Sequence, residues 1–241
     1  MKIDRNSSIA KIAADVPGAT EVFEALGLDY ACAGDRSVAD AAYVAAIDPD
    51  AVVARLRRLR SVENAVSWSD RRLSDVMKHL VEEHHRLVAG EMRSTAIHLA
   101  EVCSEKAQMP SDVYQLRATF ARLSDILLPH IREEEEIIFP VIEKLERAWE
   151  TDQPRMETLD LDKRISNIVA EHGKTAELLR TMRELRERLV LHEEVPARCQ
   201  PILEGIARLE AHLHQYMFLE NSVLFPRAVA LGASEPLAVN R

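Results

Sequence analysis

The sequence is poor in cysteine, glycine and aromatic side chains, and it has no long apolar run. Its three cysteines, Cys32, Cys103 and Cys199, are odd in number and far apart. That excludes a disulfide framework or a thiolate zinc site and fits a reducing cytosol. No apolar stretch approaches the roughly 20 residues of a membrane span, and the opening MKIDRNSSIA lacks the apolar segment of a signal peptide. A cytoplasmic location is therefore expected. The net charge of −9 offers no basic footprint for nucleic acid or anionic membrane. There is no glycine-rich phosphate loop, and no serine or cysteine sits in a nucleophile motif.

What is abundant points one way. Apolar residues make up 47% and charged residues 29%, as in a soluble globular protein with a sizeable core. Runs of Ala, Leu, Glu and Arg lose little rotamer freedom in helices, so an all-α chain is expected. Residues 1–62 read as a small helical N-terminal domain. Ile9, Ile12, Val16, Val22, Phe23 and Leu26 keep helical spacing up to Gly27, and the chain turns at Gly34 before resuming as helix. In DPDAVVARLRRLRSV an Asp cap and a Pro at the first helical position mark a helix start. The polar ENAVSWSD reads as a linker. From residue 70 to 232, four long helices are predicted, at about 70–105, 111–149, 159–191 and 198–231, separated by Pro-bearing breaks. Short connections between long amphipathic helices favour an up-down four-helix bundle.

An internal repeat carries the functional information. HIREEEEIIFP from 130 aligns with YMFLENSVLFP from 216, pairing Glu134 with Glu220, Phe139 with Phe225 and Pro140 with Pro226 at an offset of 86. His85 and His172 differ by 87. Steps of four and three place Leu116, Phe120, Leu123, Leu127, His130, Glu134, Ile137 and Val141 on one stripe. Ile202, Ile206, Leu209, Leu213, Tyr216, Glu220 and Val223 form the matching stripe. A carboxylate on a dry seam costs several kcal/mol unless a cation neutralises it, and neither stripe supplies Lys or Arg at the adjacent core positions. A metal cluster removes the difficulty. Imidazoles from His85, His130 and His172, with Glu134 and Glu220 as bridges, suit iron, manganese or zinc better than calcium or magnesium. Glu133, Glu135 and Glu136 read as a solvated charge run. Pro129, next to His130, is expected to bend or break its helix.

These residues resemble the hemerythrin-like (HHE) di-iron bundle, whose pattern is H … HxxxE … H … HxxxE across four helices. EEEIIFP and LENSVLFPRA are similar to the iron-sulfur cluster repair (repair of iron centres) family. IAADVPGATEVFEALGLDYACAG is similar to the ScdA-type domain that precedes the bundle there. The resemblance implies a bridged pair of non-haem iron ions, oxo- or hydroxo-linked, held by His85, His130, Glu134, His172 and Glu220. Tyr216 stands where the last histidine belongs. It reads either as a lost ligand packed nearby or as a phenolate donor to ferric iron. His84 rivals His85, although LVEEHH matches the family's context best at the second histidine. His212 is read as an outer-shell group or substitute ligand, and His214 as outward-facing. The family's paired cysteines are reduced to Cys32, with Ala31 before it, so no vicinal disulfide is available. The function implied is iron-sulfur cluster repair or iron donation under nitrosative and oxidative stress, with damaged iron-sulfur proteins as partners. A di-iron redox enzyme acting on peroxide, nitric oxide or oxygen is one alternative, and an oxygen or nitric oxide sensor or iron-binding protein is another.

Overall fold

A computed structural model describes residues 2–59, 67–104, 109–151, 160–191 and 197–233. Glu63–Val66 of the expected linker lies outside the described residues. So do the helix-end residues Glu105 and Leu159, and Ala107–Gln108, Asp152–Thr158 and His192–Pro196 of the expected connections.

The N-terminal helices follow their local signals. Helix α1 (Ile9–Asp15) starts at Ser8, whose side chain accepts the Lys11 N–H. The single helical run expected as far as Gly27 is divided at Pro17–Gly18, because Pro17 has no N–H to extend α1. Helix α2 (Ala19–Leu26) ends at Gly27 in the left-handed region, where a missing Cβ removes the steric penalty. Ser37 caps α3 (Val38–Val44), and Asp48 with Pro49 starts α4 (Pro49–Arg58) as the sequence predicts. The described residues form no β-sheet, only an isolated bridge between Ser8 and Ser37.

The remaining described chain is all-α and runs as four long helices, the elements of the expected four-helix bundle. Its first helix is α5 (Leu73–His79) continuing into α6 (Arg86–Ser104). The second joins α7 (Ser111–Glu133) to α8 (Phe139–Glu150), and the third is α9 (Leu161–Leu191). The fourth joins α10 (Gln200–Leu219) to α11 (Phe225–Ala233). Three of these helices change pitch midway. Leu80–His85, Glu134–Ile138 and Glu220–Leu224 are wide π-helical turns, each holding residues of the candidate metal set. Such turns occur mostly as single insertions, frequently at functional sites.

Two expectations fail on the second helix, and the wide turn explains the second of them. Pro129 does not interrupt its helix, which stays α-helical through it to Glu133. The irregularity lies instead at Glu134–Ile138. There, the extra residue rotates everything downstream by one position. Ile137 is 40% exposed and Val141 half-buried, while Ile138 and Ile142 are fully buried in their place. Proline also fits here for a physical reason. In an α-helix the rings of Pro140 and Pro226 would strike the carbonyls four residues back, those of Glu136 and Ser222. Both carbonyls belong to wide turns, where the backbone is displaced.

Contacts group the chain into two compact units, residues 1–80, 138–165 and 214–241 in one, 81–137 and 166–213 in the other. The first has its core in Ile9, Ile12, Phe23, Tyr30, Leu56, Leu73, Ile142, Phe218 and Phe225. In it, α5 lacks a side-chain cap of its own and takes one from Glu146, which accepts the Leu73 N–H at 2.5 Å and the Ser74 N–H at 2.9 Å. The second unit packs Met92, Leu99, Phe120, Leu123, Met182, Leu185, Ile206 and Leu209. Burying each such side chain contributes about 2 kcal/mol. Glu210, itself buried, is held by Arg183 at 2.6 Å and Arg186 at 3.5 Å.

Candidate metal centre

Within the second unit, His85, His130, Glu134 and His172 come together, each at most 3% exposed. One donor atom from each of His130, Glu134 and His172 lies within 4.8 Å of the others. The His130 Nε2 is 3.1 Å from Glu134 Oε1, one helical turn away, and 3.1 Å from His172 Nε2. The His85 Nε2 is 3.6 Å from Glu134 Oε2. The wide turn starting at Glu134 puts this carboxylate, 0% exposed, into a cluster of imidazoles.

Tautomers follow from the outer contacts. The His85 Nδ1 lies 2.7 Å from Glu135 Oε1, and the His130 Nδ1 lies 2.9 Å from Glu171 Oε2. An ionised carboxylate only accepts, so both Nδ1 atoms carry the proton and donate. In the neutral rings Nε2 is then a lone pair. It faces Glu134, another acceptor, and in His130 also a second imidazole nitrogen. A cation satisfies all of these atoms at once, and a metal-bound histidine normally directs its other N–H to a carboxylate in this way. The donor chemistry thus fits a borderline metal ion, nitrogen and oxygen without sulfur.

The charges of the unbound site compensate partly. Burial opposes ionisation of Glu134, but His130, and then His85 and His172, hold its carboxyl below the ordinary value. Burial likewise opposes the His130 imidazolium, yet Glu134 and Glu171 raise its pKa above the usual range.

The neighbouring residues sort themselves by direction. His84, 4% exposed, turns its ring edge-on to His212 at 6.1 Å and leaves the approach to Glu134 to His85. Glu135, expected as part of a solvated run, is 41% exposed but engages His85. Glu171 went unnoticed in the sequence although it directly precedes His172. Each adjoins a member of the cluster in sequence and meets the Nδ1 of a histidine on another helix whose Nε2 that member approaches, a relation visible only once the opposing helix is known.

In the other unit Tyr216 and Glu220 are each 0% exposed, and Glu220 opens its wide turn. His214, expected to face outward, instead meets Glu24 at 3.1 Å. Cys32 is exposed. Desolvation of its sulfur and the charge of Asp29 push its thiol up to about 12, so at neutral pH it is a thiol and a poor nucleophile.

Comparisons with known proteins agree with this geometry. Residues 75–228 match the family described as the hemerythrin HHE cation binding domain. Residues 5–60 match ScdA_N, a domain of unknown function (DUF542). The iron-sulfur cluster repair protein YtfE of Escherichia coli O1:K1 is 26% identical over 226 residues, covering 94% of this chain and 98% of its own length. YtfE of Escherichia fergusonii is similar to the same extent. Among the described residues, no helix is long and apolar enough to cross a membrane.

Proposed function

The chain belongs to the hemerythrin HHE cation-binding family, and from that premise we propose that it is a cytoplasmic non-haem di-iron protein of nitrosative and oxidative stress that restores damaged iron-sulfur clusters. The similarity to YtfE over nearly the full length of both chains supports the repair role. The observation that carries the metal reading is the buried Glu134 carboxylate, faced by imidazoles whose Nδ1 atoms are already committed to Glu135 and Glu171.

The proposed ligands are His85, His130, His172, Glu134, Glu220 and Tyr216. The histidines would hold metal through Nε2, the two glutamates would supply carboxylate oxygens, and Tyr216 would stand in for a fourth imidazole. When bound, two iron ions supply electrons and open positions for oxygen, nitric oxide or peroxide. The protein's part is to hold its donors in a fixed, water-poor setting. Glu135 and Glu171 fix ring orientation and raise ligand basicity. A phenol has a pKa near 10, so Tyr216 would need a strong Lewis acid such as ferric iron beside its oxygen to release its proton to water at neutral pH, and the resulting phenolate would favour the ferric state. Residues 1–62 and 70–232 form the two domains of this reading.

The test compares the iron-loaded chain with a Glu134→Ala variant. An iron-sulfur enzyme inactivated by nitric oxide or peroxide should regain activity with the first and not the second. Equal recovery with both would remove the repair role.

A further inference from the structure

The helix that carries Tyr216 and Glu220 has a second, differently used face. His214 reaches Glu24 at 3.1 Å, and Phe218 packs edge-on against the Tyr30 ring at 5.4 Å. Asn221 donates through Nδ2 to the Ala31 carbonyl at 3.0 Å. Positions 214, 218 and 221 follow helical spacing. They lie two residues away from 216, 220 and 223, about 200° around an ideal helix. One face therefore bears the proposed donors, and the opposite face grips the N-terminal segment.

The grip is closest at the wide turn itself. A Cβ at Gly34 would meet Ala10 Cβ at 2.7 Å, the Tyr30 carbonyl oxygen at 2.9 Å and Ser222 Oγ at 3.3 Å. The first two contacts, within the N-terminal segment, are the ones that require glycine, and the third shows that the loop from Leu28 to Gly34 packs closely on the turn at Ser222. Its other side is fastened as well. The Gly34 carbonyl accepts from Ser8 Oγ and from the Ala10 N–H, both at 3.0 Å, and buried Tyr30 donates to Glu24 at 2.8 Å. Asn221 and Ser222 are the second and third residues of the wide turn that Glu220 begins.

A π-turn needs such a hold. It contains one residue more than an α-turn, and relaxing it would rotate every side chain beyond it by one position. We infer that Asn221 is a positioning residue for the Glu220 carboxylate, acting with the close approach at Gly34 to keep the turn wide. The N-terminal segment is thereby a splint for one half of the donor set. This rests on the reading of Glu220 as a metal ligand.

Cobalt(II) loaded into the full chain is the probe, read by its visible spectrum and by its rate of loss to a chelator. Asn221→Asp keeps the size and removes the N–H donor. It should lose cobalt about tenfold faster than the unaltered protein, the scale of outer-shell changes, with a shifted spectrum. Unchanged rate and spectrum would overturn the inference and leave the ligand reading intact. Glu220→Gln separates the two, because wild-type cobalt binding in that variant would remove Glu220 from the donor set and the inference with it. Should Asn221→Asp not fold, amide exchange in the unaltered protein decides. Metal loading should slow exchange in residues 30–36 together with 220–225, and slowing confined to 220–225 would sink the proposal.

Discussion

The two wide turns that open with Glu134 and Glu220 use one backbone device with different supports. Each begins on a fully buried glutamate, four residues after a buried His130 or Tyr216, and ends before Phe-Pro. The first is surrounded by side-chain chemistry, with His85 and His130 against Glu134 and carboxylates behind both rings. The second meets the N-terminal loop through side chains of the turn, with Asn221 Nδ2 donating to the Ala31 carbonyl and Ser222 Oγ close to Gly34. A duplicated motif can thus keep its geometry while the forces that secure it diverge.

The largest expected effect breaks the likeness at its centre. Glu134→Ala and Glu220→Ala should each weaken iron binding by more than about 100-fold, above the range of outer-shell changes. Elemental analysis after dialysis measures this, and normal iron content in either variant would make the two turns unequal in kind. Tyr216→His should make the second repeat match the first. It should retain iron but lose the phenolate-to-iron band of the ferric protein, as Tyr216→Phe should. A spectrum indifferent to both changes would place the phenol outside the donor set. Glu171→Gln should weaken iron binding about tenfold by slackening the His130 ring, which a competition titration would reveal. No change would reduce that carboxylate to a surface group.

The smallest effect concerns the end of the first repeat, where Glu146 caps α5. Burial opposes its ionisation, but the N–H groups of Ser74 and Leu73, with Arg72, hold its carboxyl below the ordinary value. A depressed carboxyl stabilises the fold above its unfolded pKa and loses that contribution as pH falls through the folded value. Glu146→Gln should cost about 1 kcal/mol at neutral pH, the usual worth of a helix cap. Urea denaturation should show the gap closing in acid. A gap constant with pH would assign the effect to packing.

How much of this was readable beforehand varies by residue. Burial of His130, Glu134 and Glu220 followed from their phase on stripes of Leu, Ile and Phe, since helical periodicity is local. Ile137 and Val141 escaped the same logic because the wide turn shifts the phase, a change that propensity does not encode. The Phe-Pro pair after each turn was visible, but its meaning required knowing which carbonyls the proline rings would otherwise strike. His214 looked solvent-facing because its partner, Glu24, lies 190 residues away.

The sequence by itself determined the all-helical character, the start at Asp48 and Pro49, the two-fold repeat and the donor types, because each depends on residue type and near neighbours. Tertiary structure alone decided which histidine of the His84–His85 pair meets Glu134, which carboxylates orient the imidazoles and what fastens the turn at Glu220. Those outcomes depend on groups brought together from distant parts of the chain. A hydrogen bond across such a distance has no periodicity to announce it.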